Sequence, residues 1–415
     1  MNRLIDTFRA LKYRNFRLFF PGLILSQIGI WLQNIAIGWL VYDMTKSAFL
    51  MGLILFFNTI PLFLITPFAG VIIDKFNKHK LLMFIQALFS VQACLIAVCA
   101  LLGILKIWNI IILGVFLNTI AAVDVPLRQS TFVNLVDDKK DLSNAISLNS
   151  TCFNIARLLG PAIAGVLIAK AGTGICFLAN FICFLPSIIL VPMMKINDVK
   201  SEHIKNETIF EGLKEGFQYM LHNSFIETLL VYIGVFSFLG MTYPMLMPIY
   251  TQDILKADAD TLGLLMSIAG IGALFSSLIL AYKKTIHHLK TILCVCLVIM
   301  GIGFIGVGSV HNTIFACVAM FLIGVGMTGA LTPANTLIQT EVEDEKRGRV
   351  MSIHAIFYLG TLSLSNFTAG TFTHYFGISG AFKIFGMLLI IAAAIFACIF
   401  IKITEKNVLQ LVKED

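Results

Sequence analysis

An arginine stands in the middle of a long apolar run, and it is the side chain best placed for chemistry. Arg157 lies within residues 145–169, where most of its neighbours are apolar. At about 1.5 Å per residue of helix, it would lie roughly 18 Å from the inner end of that run, near the midplane of a bilayer. A charge at that depth is costly and marks a candidate functional site. Arg157 would either bind an acidic group of a ligand or tie helices together through buried carbonyl groups.

Three other titratable residues lie within or beside apolar runs and are candidates for proton exchange. Asp43 lies near the outer end of the first run, Asp124 near the inner end of the fourth, and His354 in the eleventh. Because histidine titrates near neutrality, His354 could carry a proton. It could equally be a satisfied polar residue in a wet helix.

Asp124 has alternative arginine partners. It would lie roughly 12 Å shallower than Arg157, so that pair would need the arginine to reach along the helix. Arg128 is one helical turn beyond Asp124, which makes their pairing easier. We favour a pair between Asp74 and Arg128 at the cytoplasmic rim of the membrane. The alternative is that Asp74, Asp124 and Arg128 are all solvated at that rim.

Uncharged polar and aromatic side chains are concentrated in certain apolar runs. The first-half set is Gln27, Gln33, Asn34, Asn58, Asn118 and Asn154, and the second-half set is Tyr243, Thr328, Thr332, Tyr358, Thr361, Ser363 and Ser365. Because lipid-facing side chains should be apolar, we expect both sets to line an internal water-filled path. Trp39, Tyr243 and Tyr358 would give a ligand apolar contact. Any single polar group could instead only join helices by hydrogen bonds.

The composition requires lipid around these residues. Of the 415 residues, 58% are hydrophobic and 13% are charged, about half the charged fraction of a soluble domain. About twelve apolar runs are long enough to cross a bilayer as helices. They divide the chain into a six-helix half at 1–194, a cytoplasmic linker at 195–223 and a second six-helix half at 224–415. The predicted fold class is therefore an all-α membrane protein.

The charge distribution gives the orientation and excludes several classes of protein. The net charge of +7 comes from lysines and arginines concentrated in alternate loops, which places both termini in the cytoplasm by the positive-inside rule. The basic residues therefore indicate topology, and no nucleic-acid partner is expected. Nine cysteines lie inside apolar runs without ligand spacing, so we expect no metal and no cofactor. No clustered acids and histidines indicate a membrane-embedded enzyme, and no phosphate-binding glycine loop indicates ATP as a power source.

The two halves repeat one another. Residues 136–141 match 342–347, and Ser147, Gly165 and Gly172 recur about 205 positions later as Ser352, Gly370 and Gly377. A membrane protein with two similar halves is a candidate transporter. The repeat is unequal, because Leu362 stands opposite Arg157.

Several motifs resemble those of one family. Gly70, Asp74 and the lysines after them resemble the loop signature of the major facilitator superfamily, although Asn77 stands where that family usually has glycine. The segment from Arg157 to Gly165, with Gly160 and Pro161, resembles the glycine–proline element of its exporters. Residues 30–42 and 340–352 resemble its siderophore and drug exporter branch. We assign conformational gating to Gly70, Asp74, Arg128, Gly160, Pro161, Arg347, Gly348 and Arg349.

The resemblance implies a proton-driven exporter of small amphipathic molecules that works as a monomer in a bacterial inner membrane. Two halves would rock about a site at the midplane. The residues add that the midplane has an arginine but no carboxylate, so we expect an anionic or neutral ligand, such as a siderophore, ahead of a cationic drug. The predicted ligand-binding residues are Arg157, Gln33, Asn34, Trp39, Asn58, Asn118, Tyr243 and Tyr358. The alternatives are an importer of a siderophore or nutrient and a lysophospholipid flippase.

Overall fold

The described part of the chain consists almost entirely of α-helices. The computed structural model describes residues 9–136, 138–195, 209–282 and 288–414; for 133, 134, 139, 209–212, 344, 345 and 404–414 it describes the backbone alone. A 3₁₀ turn, Arg9–Lys12, precedes the helices. The helices of the first half are α1 Arg14–Thr45, α2 Ala48–Lys75, α3 Lys78–Leu101, α4 Ile107–Leu135 and α5 Lys139–Leu190. Those that follow are α6 Ile209–His222, α7 Ser224–Gly240, α8 Tyr243–Asp253, α9 Ala259–Tyr282, α10 Leu289–Ser309, α11 Thr313–Glu341 and α12 Asp344–Glu414.

The predicted spans are present as helices. Within the described residues, ten helical segments are long and apolar enough to cross a membrane. Two of them, Lys140–Met193 and Lys346–Ile403, are 54 and 58 residues long. Each bends at a glycine with positive φ, 82° at Gly172 and 70° at Gly377. Because only glycine adopts that conformation without strain, each bend divides one long helix into two spans. The ten segments therefore make about twelve passages, as the sequence predicts.

The seventh span is interrupted, which the apolar pattern does not predict. α7 ends at Gly240, Met241 and Thr242 form a turn, and α8 begins at Tyr243 with Pro244 in its first turn. Proline lacks the N–H that an α-helix would need there, so it suits the first turn of a new helix. The backbone N–H groups of Met245 and Leu246 both bond to the Thr242 carbonyl at 3.1 and 3.2 Å. The break falls beside Tyr243, one of the predicted ligand-binding residues.

The chain forms two compact units that exchange short segments. One unit contains residues 1–46, 57–206 and 257–267, and the other contains 47–56, 207–256 and 268–415. The predicted boundaries at 194 and 224 stay a prediction. Residues 47–56 belong to the second unit and residues 257–267 to the first, so the units differ from the two halves of the sequence.

Each exchanged segment packs against its unit through a pair of glycines. In the first unit, a Cβ on Gly165 of α5 would lie 2.5 Å from the Ala259 carbonyl oxygen and 2.9 Å from the Gly263 Cα of α9. In the second, a Cβ on Gly52 of α2 would lie 2.6 Å from the Asn366 carbonyl oxygen and 2.9 Å from the Gly370 Cα of α12. Only residues without side chains let helix backbones approach this closely.

Each unit has an aromatic core that fixes the helices bearing the polar residues. In the first unit, the rings of Phe89 on α3 and Phe184 on α5 stack with centroids 5.4 Å apart. In the second, the buried Tyr232 of α7 donates its hydroxyl to the Leu293 carbonyl of α10 at 3.1 Å. Its ring also packs edge-on against Phe396, with centroids 5.1 Å apart. Aromatic pairs of this kind contribute about 0.5–1.5 kcal/mol beyond the area that they bury.

Candidate substrate and coupling sites

Arg157 lies half-buried on α5 beside two aromatic rings. Its guanidinium carbon is 5.0 Å from the ring centroid of Phe153, one turn earlier on the same helix. The Phe153 ring meets Trp31 of α1 edge-on, with centroids 6.4 Å apart. The glycine at position 160 lets α1 approach α5 this closely, because a Cβ on Gly160 would lie 3.3 Å from Trp31 Cγ.

The guanidinium of Arg157 has unused hydrogen-bonding capacity. Its Nε is buried and has no hydrogen-bond partner among the described residues. No ion pair joins it to a carboxylate in that part of the chain either. The sequence allows two roles for Arg157. One of them, tying helices together, requires hydrogen bonds to carbonyl groups, and the described contacts of Arg157 include none. A cation held against a ring and left with a free donor is suited to an acidic ligand group.

Asp124 and Arg128 form a buried ion pair within α4. The Arg128 Nε donates to Asp124 Oδ2 at 2.6 Å, and both side chains are about 5% exposed. Gln86 of α3 donates to the other carboxylate oxygen at 3.2 Å. The preferred pairing of Arg128 with Asp74 is not observed, because Asp74 is exposed on α2. The alternative of three solvated rim charges is also wrong, because Asp124 and Arg128 are buried.

Of three predicted lining amides of the first half, two contact other helices and one bonds within its own helix. Gln33 is buried, and its Oε1 accepts a hydrogen bond of 2.5 Å from Asn180. Asn58 packs directly against Gly114 of α4. A Cβ on Gly114 would lie 2.5 Å from the amide nitrogen of the Asn58 side chain. Asn118 donates to the Gly114 carbonyl of its own helix at 3.0 Å. The contacts of Gln33 and Asn58 join helices, which is the alternative that the sequence left open for any single polar group.

Asn34 and Trp39 differ from these amides. Asn34 is exposed on α1, and Trp39 is half-buried on the same helix. Both therefore have surface available to a ligand. Asp43, near the end of α1, is exposed and pairs with Lys46 at 2.8 Å. Exposed pairs of this kind contribute at most about 1 kcal/mol.

Three predicted residues of the second unit lie on the helices α8 and α12. The Tyr243 hydroxyl donates to Met327 Sδ of α11 at 3.6 Å. Ser237 of α7 donates to the Tyr358 carbonyl of α12 at 2.7 Å. His354 stacks on Tyr358 with ring centroids 6.4 Å apart, and its buried Nε2 has no partner among the described residues. His354 and Tyr358 therefore form one pair on α12, and Tyr243 at the break has a separate contact with α11.

The predicted gating residues occupy different environments. A Cβ on Gly70 would meet nothing within 4 Å among the described residues, so no close helix contact there requires glycine. Gly348 is equally open. The Pro161 carbonyl lies against Gly263 of α9. Arg347 donates to the Val342 carbonyl at 3.5 Å, and Arg349 forms an ion pair with Glu215 of α6.

Some site residues were not predicted. Phe153 lies four positions before Arg157 on one helix, so the i,i+4 rule could have found it. Gln86 was missed because the third apolar run has few polar residues. Asn180, the partner of Gln33, carries no signal in the sequence that distinguishes it from other amides.

A sequence model described as a transmembrane secretion effector of the major facilitator type matches residues 5–413. The chain belongs to this family. It is therefore a multi-pass membrane transporter, and the predicted fold class, the superfamily and the exclusion of an enzyme are confirmed.

Three relatives with named roles match between 71% and 91% of the chain. The staphyloferrin A transporter of Staphylococcus aureus is 29% identical over 387 residues, which are 91% of this chain and 94% of that protein. The multidrug efflux pump Tap of Mycolicibacterium fortuitum is 22% identical, over 87% of this chain and 90% of that protein. The enterobactin exporter of Shigella boydii is 22% identical, over 71% of this chain and 68% of that protein.

Solved structures show the same fold at low sequence identity. A nucleoside transporter, NupG, superposes with a TM-score of 0.70 at 12% identity, over 92% of this chain and 99% of that chain. A POT family transporter in complex with 5-aminolevulinic acid superposes with a TM-score of 0.74 at 11% identity, over 94% of this chain and 97% of that chain. These similarities concern the fold alone.

Proposed function

We propose that this chain exports a small amphipathic molecule of the siderophore class, anionic or neutral, from the bacterial cytoplasm. The transport would be proton-driven, by alternating access, in a monomer whose two termini are cytoplasmic. The observation that carries the proposal is the guanidinium of Arg157, which rests on Phe153 and keeps a buried donor without a partner. The staphyloferrin A transporter and the enterobactin exporter support the ligand class.

The Arg157 environment favours an acid attached to an apolar body. A carboxylate on the guanidinium would form charge-assisted hydrogen bonds, which contribute about 1.5–3 kcal/mol. That energy corresponds to roughly 10- to 150-fold in affinity. Phe153 and Trp31 would pack against the apolar part of the same ligand. A cationic drug would meet the like charge of Arg157, so it should be a poorer ligand than an anion even though drug pumps are among the relatives.

The remaining predicted residues divide between the two units. In the first, Asn34, Trp39 and Asn118 would line the path near Arg157, while Gln33 and Asn58 would hold the helices that form it. In the second, Tyr243 and Tyr358 would contact the ligand beside the break in the seventh span. Broken helices commonly form the binding sites of transporters, because a break leaves backbone groups free for a ligand.

Proton coupling would reside first in Asp124. Its carboxylate is buried between Arg128 and Gln86, so a proton on it would cancel one charge of the pair and weaken the attraction to the guanidinium. His354, with its buried Nε2, is the second candidate. Asp43 is the third, although its exposed pair with Lys46 gives it less influence on the spans.

A comparison of metabolites tests the proposal. Culture supernatants and cell extracts of a strain with the gene are compared with those of its deletion strain, grown under iron limitation and under iron excess. The proposal expects an acidic or neutral chelator to disappear from the supernatant of the deletion strain and to accumulate in its cells. Staphyloferrin A and erythromycin, added to separate cultures, distinguish a siderophore from a macrolide.

The alternatives give other results. An importer would leave its substrate in the supernatant of the deletion strain, outside the cells. A lysophospholipid flippase would change the lipid composition and leave the chelators unchanged. Either outcome would refute export of a siderophore.

A further inference from the structure

The segment before the first span is tied to the start of α5 by one buried carboxylate. Asp141 is 4% exposed and accepts from Lys12 Nζ at 2.5 Å and from the Tyr13 hydroxyl at 2.9 Å. Arg9 lies 3.9 Å from its other oxygen. The hydrogen bond to Asp141 raises the pKa of Lys12, so this lysine stays charged at physiological pH. We call Lys12, Tyr13 and Asp141 the first clamp.

A backbone hydrogen bond completes the first clamp. The Ala10 N–H donates to Asn144 Oδ1, one turn after Asp141, at 2.9 Å. Ala10 itself is fully buried. An amide proton that bonds to a side chain of a distant helix exchanges with solvent only when that contact opens. Ala10 is therefore a direct probe of the first clamp.

The segment before the seventh span is tied to the start of α12 in the same way, with the charges reversed. Arg349 forms an ion pair with Glu215 of α6. Lys346 lies 4.9 Å from the ring centroid of Tyr219. The helices touch at Gly216, where a Cβ would lie 3.1 Å from the Arg349 carbonyl oxygen. We call Glu215, Tyr219, Lys346 and Arg349 the second clamp.

The two clamps occupy matching positions of the internal repeat. Asp141 and Asn144 recur about 205 positions later as Lys346 and Arg349. Arg9, Ala10 and Tyr13 recur about 206 positions later as Glu215, Gly216 and Tyr219. Lys346 thus stands at the position of Asp141 and Glu215 at that of Arg9, but Glu215 pairs with Arg349, the counterpart of Asn144. Each half therefore has an opposite-charge contact between the same two segments, although the paired positions differ, and a solvated surface does not require such a contact.

Each clamp holds the inner start of a helix that bears candidate site residues. α5 carries Arg157 sixteen positions after Asp141, and α12 carries His354 and Tyr358 five and nine positions after Arg349. In a continuous helix, a displacement of the first turn is transmitted along the axis. The clamps therefore link the short segments outside the spans to the helices that would contact the ligand.

We propose that the two clamps are independent latches, each of which fixes the inner end of a site-bearing helix through opposite charges of its own unit. Asp141 and Arg349 are thus positioning residues. The first latch is the stronger, because its carboxylate is buried and accepts two hydrogen bonds. The second is weaker, because the side chains of Arg349 and Glu215 are 26% and 49% exposed.

Hydrogen–deuterium exchange of the purified full-length protein in lipid nanodiscs tests the latches without any ligand. With Asp141→Asn, we expect the Ala10 amide to exchange roughly fivefold faster, the upper end of the range for a charge pair with an exposed partner. Exchange in residues 213–222 should stay as in the wild type. Asp138→Asn is the matched control, because asparagine keeps the helix cap that Asp138 makes with the Lys140 N–H.

Charge reversal tests the second latch. Glu215→Arg and Arg349→Glu, each alone, should raise exchange in residues 213–222 by roughly two- to fivefold, the range expected for an exposed pair. The double variant should restore the wild-type rate. Glu341→Gln, an exposed acid at the end of α11, is the control.

Two results would overturn the proposal. One is wild-type exchange at Ala10 in Asp141→Asn. The other is a double charge reversal that exchanges no more slowly than the single variants. Because no ligand is present, these results are independent of whether the chain exports a siderophore.

Discussion

Replacing one partner of the buried ion pair in α4 should destabilise the fold more than replacing both partners. In Asp124→Asn, the guanidinium of Arg128 stays buried at about 5% exposure but loses the carboxylate at 2.6 Å. Removing one partner of a buried ion pair costs about 3–5 kcal/mol, because the other charge remains without compensation. Replacing both partners with apolar residues of similar size, as in Asp124→Leu with Arg128→Met, should be neutral or stabilising by about 1–4 kcal/mol.

The same variants separate stability from proton coupling. Thermal unfolding in detergent should rank the double variant at or above the wild type, and Asp124→Asn clearly below both. Transport of the exported metabolite should be measured with and without an uncoupler that collapses the proton gradient. The wild type should slow sharply on collapse. The double variant should be insensitive to it, because neither ionisable group remains.

Two results would refute this reasoning. If Asp124→Asn unfolds at the wild-type temperature, the pair is not buried as described. If the double variant is stable and still responds to the uncoupler, Asp124 does not couple protons, and His354→Gln becomes the next variant to measure.

Three smaller changes test the fold, each by thermal unfolding, with Gly348→Ala in open space as the shared control. Gly377→Ala should cost about 1–2 kcal/mol, because its φ of 70° strains any side chain; an unchanged midpoint would mean that the bend needs no glycine. Gly165→Val should cost about 1–3 kcal/mol by overpacking the crossing with α9, and a stable variant would contradict that crossing. Tyr232→Phe should cost about 0.5–1.5 kcal/mol through the lost bond to the Leu293 carbonyl; no loss would show that the bond is not formed.

The spans and their repeat were predictable from the sequence because lipid imposes a simple rule on them. A helix in a bilayer must be apolar for about 20 residues, and this length is readable without knowing what packs against it. Gly172 and Gly377 were visible as repeat positions, although the pattern did not say that they adopt positive φ. The break before Tyr243 was not predicted, because a proline in an apolar run is compatible with either a kink or a new helix.

The partners of the site residues were less predictable. The sequence placed Asp124 and Arg128 one turn apart, yet favoured Asp74 as the partner of Arg128. Whether Arg128 pairs with Asp74 or with Asp124 depends on which face of α4 is buried, and the packing of α4 against α3 determines that face. Likewise, the sequence shows Gln33 only as an amide within an apolar run. This pattern is the same whether the side chain binds a ligand or Asn180. Only the neighbouring helix decides between these roles.

The central claim is that Arg157 binds the acidic group of the transported molecule. It is tested most directly by export of an anionic ligand from cells that express Arg157→Gln or Arg157→Lys at matched levels in the membrane. Arg157→Gln should lose at least about tenfold in apparent affinity. Arg157→Lys should retain part of it, because the charge remains without the planar fork. Full transport of the anionic ligand by Arg157→Gln would contradict the account.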